Sequence, residues 1–277
     1  MAVANQAAFL TVLAMLAFAG NSLLCRMALK GTNIDATSFT AVRLFSGAIV
    51  LWIVTRSVGA SRQGGGNWIS AFCLFAYAAG FSYAYVKLPA SVGALILFAS
   101  VQGTMIGVGL WRGERLRFLQ WSGLVLALAG LIALLLPGLS APPAGTALLM
   151  LAAGIAWGAY SLRGRVVGDP SRSTAGNFFR AAPMAFALCL LTLNELSLDW
   201  VGFGYAVASG ALASGVGYVI WYAALPKLSP MTASTVQLSV PVLAAVGGAV
   251  LLGEAPGLRL VLASIAILGG IALVIRS

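Results

Sequence analysis

Lys87 and Ser91 stand four residues apart, one helical turn, which are the types and spacing for a lysine amine to take the proton of a serine nucleophile. A Ser-Lys hydrolase within a membrane is therefore one reading. Against it, Met231 stands where the internal repeat described below would place a second serine. The chain has no histidine, which removes a Ser/His/Asp triad and every imidazole ligand or proton relay. Cys25, Cys73 and Cys189 lie far apart inside apolar runs, so they suggest neither a disulfide nor a metal site. Asp35, Glu114, Asp169, Glu195, Asp199 and Glu254 fall in loops or at the ends of apolar runs, where none would relay a proton or sodium ion across lipid. No cofactor, no metal and no enzymatic role are expected.

Other residues suit binding better than catalysis. Asn21, Gln102, Tyr160 and Gln237 lie well inside apolar runs, where a polar side chain is costly unless it faces protein or a water-filled cavity. Tyr77, Tyr83, Phe98, Trp157, Tyr218 and Trp221 offer ring faces that would stack on an uncharged or ring-bearing solute. Trp157 is the strongest of these candidates, and helix packing is the competing role for all of them. Trp52, Trp68, Trp111, Trp121 and Trp200 fall near the ends of runs, as an interfacial belt would. Arg43 and Arg180 lie about two turns inside their runs, where snorkelling or carbonyl contacts favour a structural role.

The elements that would position these side chains follow from composition. With 61% hydrophobic and 8% charged residues in 277, and a mean hydropathy of +1.00, the chain cannot cover a water-facing surface. Its apolar runs are continuous rather than alternating, which selects helices over barrel strands. The fold class is all-α, with spans expected at residues 6–26, 36–55, 67–86, 89–111, 118–137, 144–162, 174–193, 199–224, 229–252 and 258–275. Within span four, Gly103 and Gly107 form a GxxxG expected to allow close helix approach, and Pro183 and Pro241 interrupt spans seven and nine. Spans five and ten carry mainly aliphatic and small residues and are expected at the periphery or in a homodimer contact.

The net charge of +10 forms no basic stripe, so no nucleic-acid partner is implied. Arg56, Arg62, Arg112, Arg115, Arg117, Arg163, Arg165, Arg172, Lys227 and Arg276 share the face that carries both termini. Only Arg26, Lys30, Lys87 and Arg259 fall on the other, so the positive-inside rule places both termini in the cytoplasm.

A skeleton of Gly-Glu, a small residue and a glycine occurs twice, at Gly113, Glu114, Gly123, Gly130 and again 140 residues later at Gly253, Glu254, Ala263, Gly270. The chain divides into two repeats, 1–138 and 139–277, joined in one transport unit. Each holds five spans. Because five is odd, the second repeat enters the bilayer from the opposite face, and inverted halves of this kind support alternating access. A channel-like pore would need charge rings or carbonyl filters that the sequence does not show.

The "SFTAVRLFSGAIVL" segment, "GER" and "GLVLALAGLIALLL" resemble the drug/metabolite transporter superfamily, in its ten-helix EamA-like branch. The second copy departs from the pattern at "GEAPGLRL", where Ala255 replaces the basic residue after the glutamate. The resemblance implies export of amino acids, aromatic or neutral, or related metabolites across the bacterial inner membrane. Partners would be that small solute and membrane lipid, with no obligatory intramembrane proton carrier.

Overall fold

A computed structural model of the chain describes residues 2–57, 65–113, 115–136, 141–164, 169–228 and 236–276. Arg62, Glu114, Arg165 and Met231 lie outside these residues. All regular structure among the described residues is helical. The helices are α1 (Ala2–Gly31), α2 (Ala36–Ser57), α3 (Trp68–Tyr85), α4 (Ala90–Trp111), α5 (Phe118–Leu135), α6 (Ala144–Gly164) and α7 (Pro170–Leu191). Then α8 runs through Trp200–Val207, a π-helical stretch Ala208–Val216 and Gly217–Ala224, followed by α9 (Ser239–Leu252) and α10 (Leu258–Arg276).

Seven of these segments are long and apolar enough to cross a membrane, with α9 and α10 as shorter apolar helices. The eighteen residues of α3 have the length. It is not among the seven, with Ser70, Tyr77, Ser82, Tyr83 and Tyr85 placing polar atoms along it. The expected boundaries agree with the helix ends to within a few residues, except at α9, whose expected first turns fall outside the described residues.

Polar caps explain where the helices start. Asn67 accepts the Ser70 N–H at α3, Asp169 the Arg172 N–H at α7, and Asp199 the Val201 and Gly202 N–H groups at α8. Gly253 ends α9 with φ 64°, a left-handed conformation that costs a side-chain-bearing residue energy, and Gly113 follows α4 with φ 92°. The glycine of each repeated Gly-Glu pair is thus a helix terminator.

The connections gather at two ends of the bundle. At end A, Asp35 after α1 accepts the Ser197 N–H, and Asp199 accepts the Asn33 N–H. At end B, Arg163 of α6 reaches Ser70 and Asn67 of α3, and Lys227 after α8 reaches Gln6 of α1.

Close helix approach occurs at different glycines from those expected. Gly103 and Gly107 have open space where a Cβ would stand, and Gly103 faces an apolar crevice between α4, α5 and α10. The contact of α4 with α6 uses Gly154 and Gly158 instead, which abut Ser100 and Thr104. In the same way Gly123 of α5 lies against Gly270 of α10, where a Cβ would stand 2.6 Å from the Gly270 carbonyl oxygen, and Gly130 lies against Ala266. Gly123, Gly130 and Gly270 are small residues of the repeated skeleton, so each copy supplies one side of the α5–α10 seam. The outer faces of this pair, including Trp121, Val125, Leu128, Ile132 and Ile265, are exposed and apolar, as a lipid-facing surface would be.

Candidate substrate cavity

Five helices converge on a small internal cavity lined by Phe18, Asn21 and Ser22 of α1, Tyr77 and Phe81 of α3, and Leu97 and Phe98 of α4. Trp157 of α6 and Ala213 and Tyr218 of α8 complete it. The pairs Phe18/Ser22 and Tyr77/Phe81 are four residues apart, so each pair shares one helix face.

Trp157 is the centre of the aromatic wall. Its ring centroid lies 4.8 Å from that of Tyr77, 5.2 Å from Tyr218 and 5.3 Å from Tyr160, the last pair stacked at 27°. Phe18 closes the wall edge-on against Tyr218 at 5.9 Å and Trp221 at 6.0 Å.

A polar network backs this wall. Asn21 donates to the Tyr77 hydroxyl at 3.2 Å and accepts from the Ser209 hydroxyl at 2.7 Å. Arg43 donates through Nη2 to the Tyr77 hydroxyl at 3.0 Å and through Nε to the Ser214 hydroxyl at 3.3 Å. Both serines come from the π-helical stretch of α8, whose wider turn is a frequent feature of functional sites. Gly210 in that stretch lets α8 approach α2 so closely that a Cβ would meet the Arg43 carbonyl oxygen.

Snorkelling does not describe Arg43. The side chain is 1% exposed, with its guanidinium 5.1 Å from the Tyr77 ring centroid and 4.9 Å from that of Phe81. Its Nη1 is buried without a hydrogen-bond partner, a condition that costs about 1–3 kcal/mol. Arg180, its counterpart in the repeat, makes the expected carbonyl contacts: it is half-buried toward end B, donating to the Gly65 and Gly176 carbonyls beside Trp68.

Of the residues expected to bind solute, Asn21, Tyr77, Phe98, Trp157 and Tyr218 line the cavity together. Tyr160 stacks on Trp157 but lines a second cavity toward end B with Asn67, Ser70, Arg163 and Asn177, and its hydroxyl donates to Thr174 at 3.3 Å. Trp221 sits behind Phe18, and Gln102 is buried on α4 outside the lining. Tyr83 turns to end A, its hydroxyl 2.6 Å from that of Thr37, and Gln237 lies just before α9. Phe18, Ser22, Phe81, Leu97 and Ala213 were not anticipated, because an apolar or small cavity residue has the same sequence signal as a packing one. Lys87 is exposed while Ser91 is 4% exposed, with no hydrogen bond between them.

The two ends differ. At end A, Glu254 meets Arg26 Nε at 2.8 Å and Lys30 Nζ at 3.4 Å and accepts the Ala90 N–H at 2.8 Å. Arg26 also donates to the Tyr85 and Val86 carbonyls, so one junction ties α1, α3, α4 and the α9–α10 turn. Partial burial opposes ionisation of Glu254, but the Ala90 N–H, Arg26 and Lys30 together hold its carboxyl below the usual value. At end B a cleft of about 290 Å³ opens between Asn67, Arg112, Leu162 and Arg163, against about 20 Å³ of comparable free space in the central cavity. The centre therefore holds roughly one water as it stands.

The profile of the EamA-like transporter family matches the chain twice, over residues 5–136 and 145–276. The chain is a member of the EamA-like transporter family. It is a multi-pass membrane protein built from two EamA repeats. An uncharacterized protein of Pseudomonas aeruginosa is 59% identical over 96% of this chain and 93% of its own length. A probable terminal-alkyne amino-acid exporter of Streptantibioticus cattleyicolor is 25% identical over 91% of this chain and 87% of its own. A solved crystal structure superposes with a TM-score of 0.68 at 21% identity, covering 97% of this chain and 96% of that one, which supports the fold alone. EamA-like proteins are transporters, so the chain is assigned to transport rather than catalysis.

Proposed function

We propose that this EamA-like protein exports amino acids, aromatic or neutral, or closely related metabolites by alternating access, through ten spans arranged as two inverted repeats of five. The observation that carries the reading is the aromatic cavity around Trp157, lined by α1, α3 and α4 of one repeat and α6 and α8 of the other. Ring faces favour an apolar or aromatic side chain, and Asn21 and Tyr77 supply polar contacts for a backbone-like end. The likeness to an amino-acid exporter supports the same solute class.

End A is sealed by the Glu254 junction, while the cleft lies at end B, the more basic end that the positive-inside rule assigns to the cytoplasm. This arrangement is the inward-leaning conformer of a bacterial inner-membrane carrier with both termini cytoplasmic. Solute entry from end B must part the aromatic wall, since the cavity holds too little free space for an amino acid.

Purified protein in liposomes tests the reading. Aromatic and small neutral amino acids should give saturable flux that is stimulated from the opposite side, with cationic ones slower and a pH gradient unnecessary. Flux that never saturates would mean a pore, and absence of flux for every amino acid would remove the solute class. In a cysteine-free background, Gly113→Cys and Gly253→Cys should react from opposite sides; labelling from one side only would end the inverted topology.

A further inference from the structure

The buried guanidinium of Arg43 lacks a counter-ion. No ion pair of Arg43 occurs among the described residues, and the described aspartates that could compete for it are committed elsewhere. Asp35 accepts from the Thr37, Ser38 and Ser197 N–H groups, Asp199 from Asn33, Val201 and Gly202, and Asp169 from Arg172. Glu254 is held by Arg26 and Lys30 at end A. A permanently charged group is thus kept in the middle of a helix bundle against two ring faces and two hydroxyls, with no carboxylate paired to it among the described residues.

Nε donates to Ser214 and Nη2 to Tyr77, and Nη1 is the guanidinium nitrogen left without an acceptor. The Tyr77 oxygen accepts from both Arg43 and Asn21, which uses its lone pairs and leaves its own proton to donate. Tyr77 lines the central cavity, and so does Phe81, the other ring against which the guanidinium lies. The Tyr77 hydroxyl therefore borders the cavity with a proton to give, and Arg43 Nη1 lies one layer behind it, against the Tyr77 and Phe81 rings, without an acceptor. A carboxylate offers two acceptor oxygens and the missing negative charge, and arginine matches such a group better than any other side chain.

We propose that Arg43 Nη1 and the Tyr77 hydroxyl form a carboxylate-binding subsite at the edge of the Trp157 aromatic wall, so that the transported solute must carry a carboxylate. This rests on the transport reading above and narrows its solute. Asn21 and Ser214 are positioning residues: they fix the tyrosine oxygen and the guanidinium plane. The ring or side chain of the solute lies against Trp157 and Tyr218, whose centroids stand 5.2 Å apart. In the closed arrangement Nη1 is sealed from water, so the subsite becomes available as the wall parts to admit the solute.

The full-length protein purified in detergent is titrated by calorimetry with L-phenylalanine, with 3-phenylpropionate, which keeps the carboxylate and lacks the ammonium, and with L-phenylalaninamide, which does the reverse. Phenylalanine and phenylpropionate should bind wild type, with the amide weaker by about tenfold or more, the range of a charge-assisted hydrogen bond. Arg43→Gln should bring phenylalanine down to the level of the amide, and Arg43→Lys should recover part of the loss. Equal binding of phenylalanine and its amide by wild type overturns the subsite and leaves amino-acid transport standing. Binding of phenylpropionate without phenylalanine keeps the subsite and ends the amino-acid reading. If no probe binds, both fall. Should Arg43→Gln fail to fold, as judged by its melting temperature, the comparison within wild type decides alone.

Discussion

Replacing Glu254 with glutamine removes one charge from the junction at end A and nearly preserves its shape. The side chains of Arg26 and Glu254 are 10% and 9% exposed, so water screens their 2.8 Å contact weakly. Deleting one partner of such a pair costs about 3–5 kcal/mol. Glutamine keeps an oxygen for the Ala90 N–H and for Arg26, which reduces the loss to about 1.5–3 kcal/mol, the worth of a hydrogen bond to a charged group. Lys30 adds little, because it is 44% exposed and its contact is 3.4 Å. At ~1.4 kcal/mol per factor of ten, the closed form of end A should lose about 10- to 100-fold in population. Cys25 reports the change: it is fully buried, next to Arg26 in sequence. With Cys73 and Cys189 replaced by alanine, Glu254→Gln should raise the rate of Cys25 alkylation by a membrane-impermeant maleimide by a similar factor. An unchanged rate in a folded variant would refute the assignment of this junction as the closure of end A.

Other outcomes follow from the same geometry. Trp157→Ala should lower amino-acid flux in liposomes about tenfold or more, because three ring contacts worth roughly 0.5–1.5 kcal/mol each disappear from the cavity wall, while the protein remains in the membrane fraction. The carboxyl of Glu254 is held below its ordinary value of 4.5, so the stability it contributes is present above that value and is lost as pH falls through the lowered one. The melting-temperature gap between wild type and Glu254→Gln should accordingly stay constant from neutral pH down to about 4.5 and vanish in stronger acid. Gly270→Leu would drive a side chain into the Gly123 carbonyl and the Ala127 backbone, and should destabilise the protein by about 1–3 kcal/mol, read as a lower melting temperature.

The helices were legible because lipid demands long uninterrupted apolar runs, which leave an unmistakable trace in composition. The two EamA repeats were legible as well, since packing of α5 on α10 requires small residues that recur at matched positions, Gly123 with Ala263 and Gly130 with Gly270. The π-helical stretch was not: Ala208 to Val216 reads as a featureless series of small residues, and the widened turn follows from how α8 meets α2 at Gly210 and Arg43. Five of the ten candidate site residues meet at the cavity, because polar or aromatic type shows that a side chain needs company but not which face of its helix it occupies. Tyr83 and Gln102 have the same signal as Tyr77 and Asn21 and point elsewhere. Snorkelling fails for Arg43 for a related reason: depth along a helix suggests reach to the headgroups, whereas rotation about the helix axis turns the side chain inward.

The seam between α5 and α10 joins the first EamA repeat to the second with no dependence on the peptide that connects them. Cut anywhere between residues 136 and 144 and produced as two separate polypeptides, the protein should still assemble in the bilayer, each fragment recognising the other through glycine-lined ridges. The linkage then serves to fix stoichiometry, and a pair of independent chains of one EamA repeat each would meet the same architectural demand.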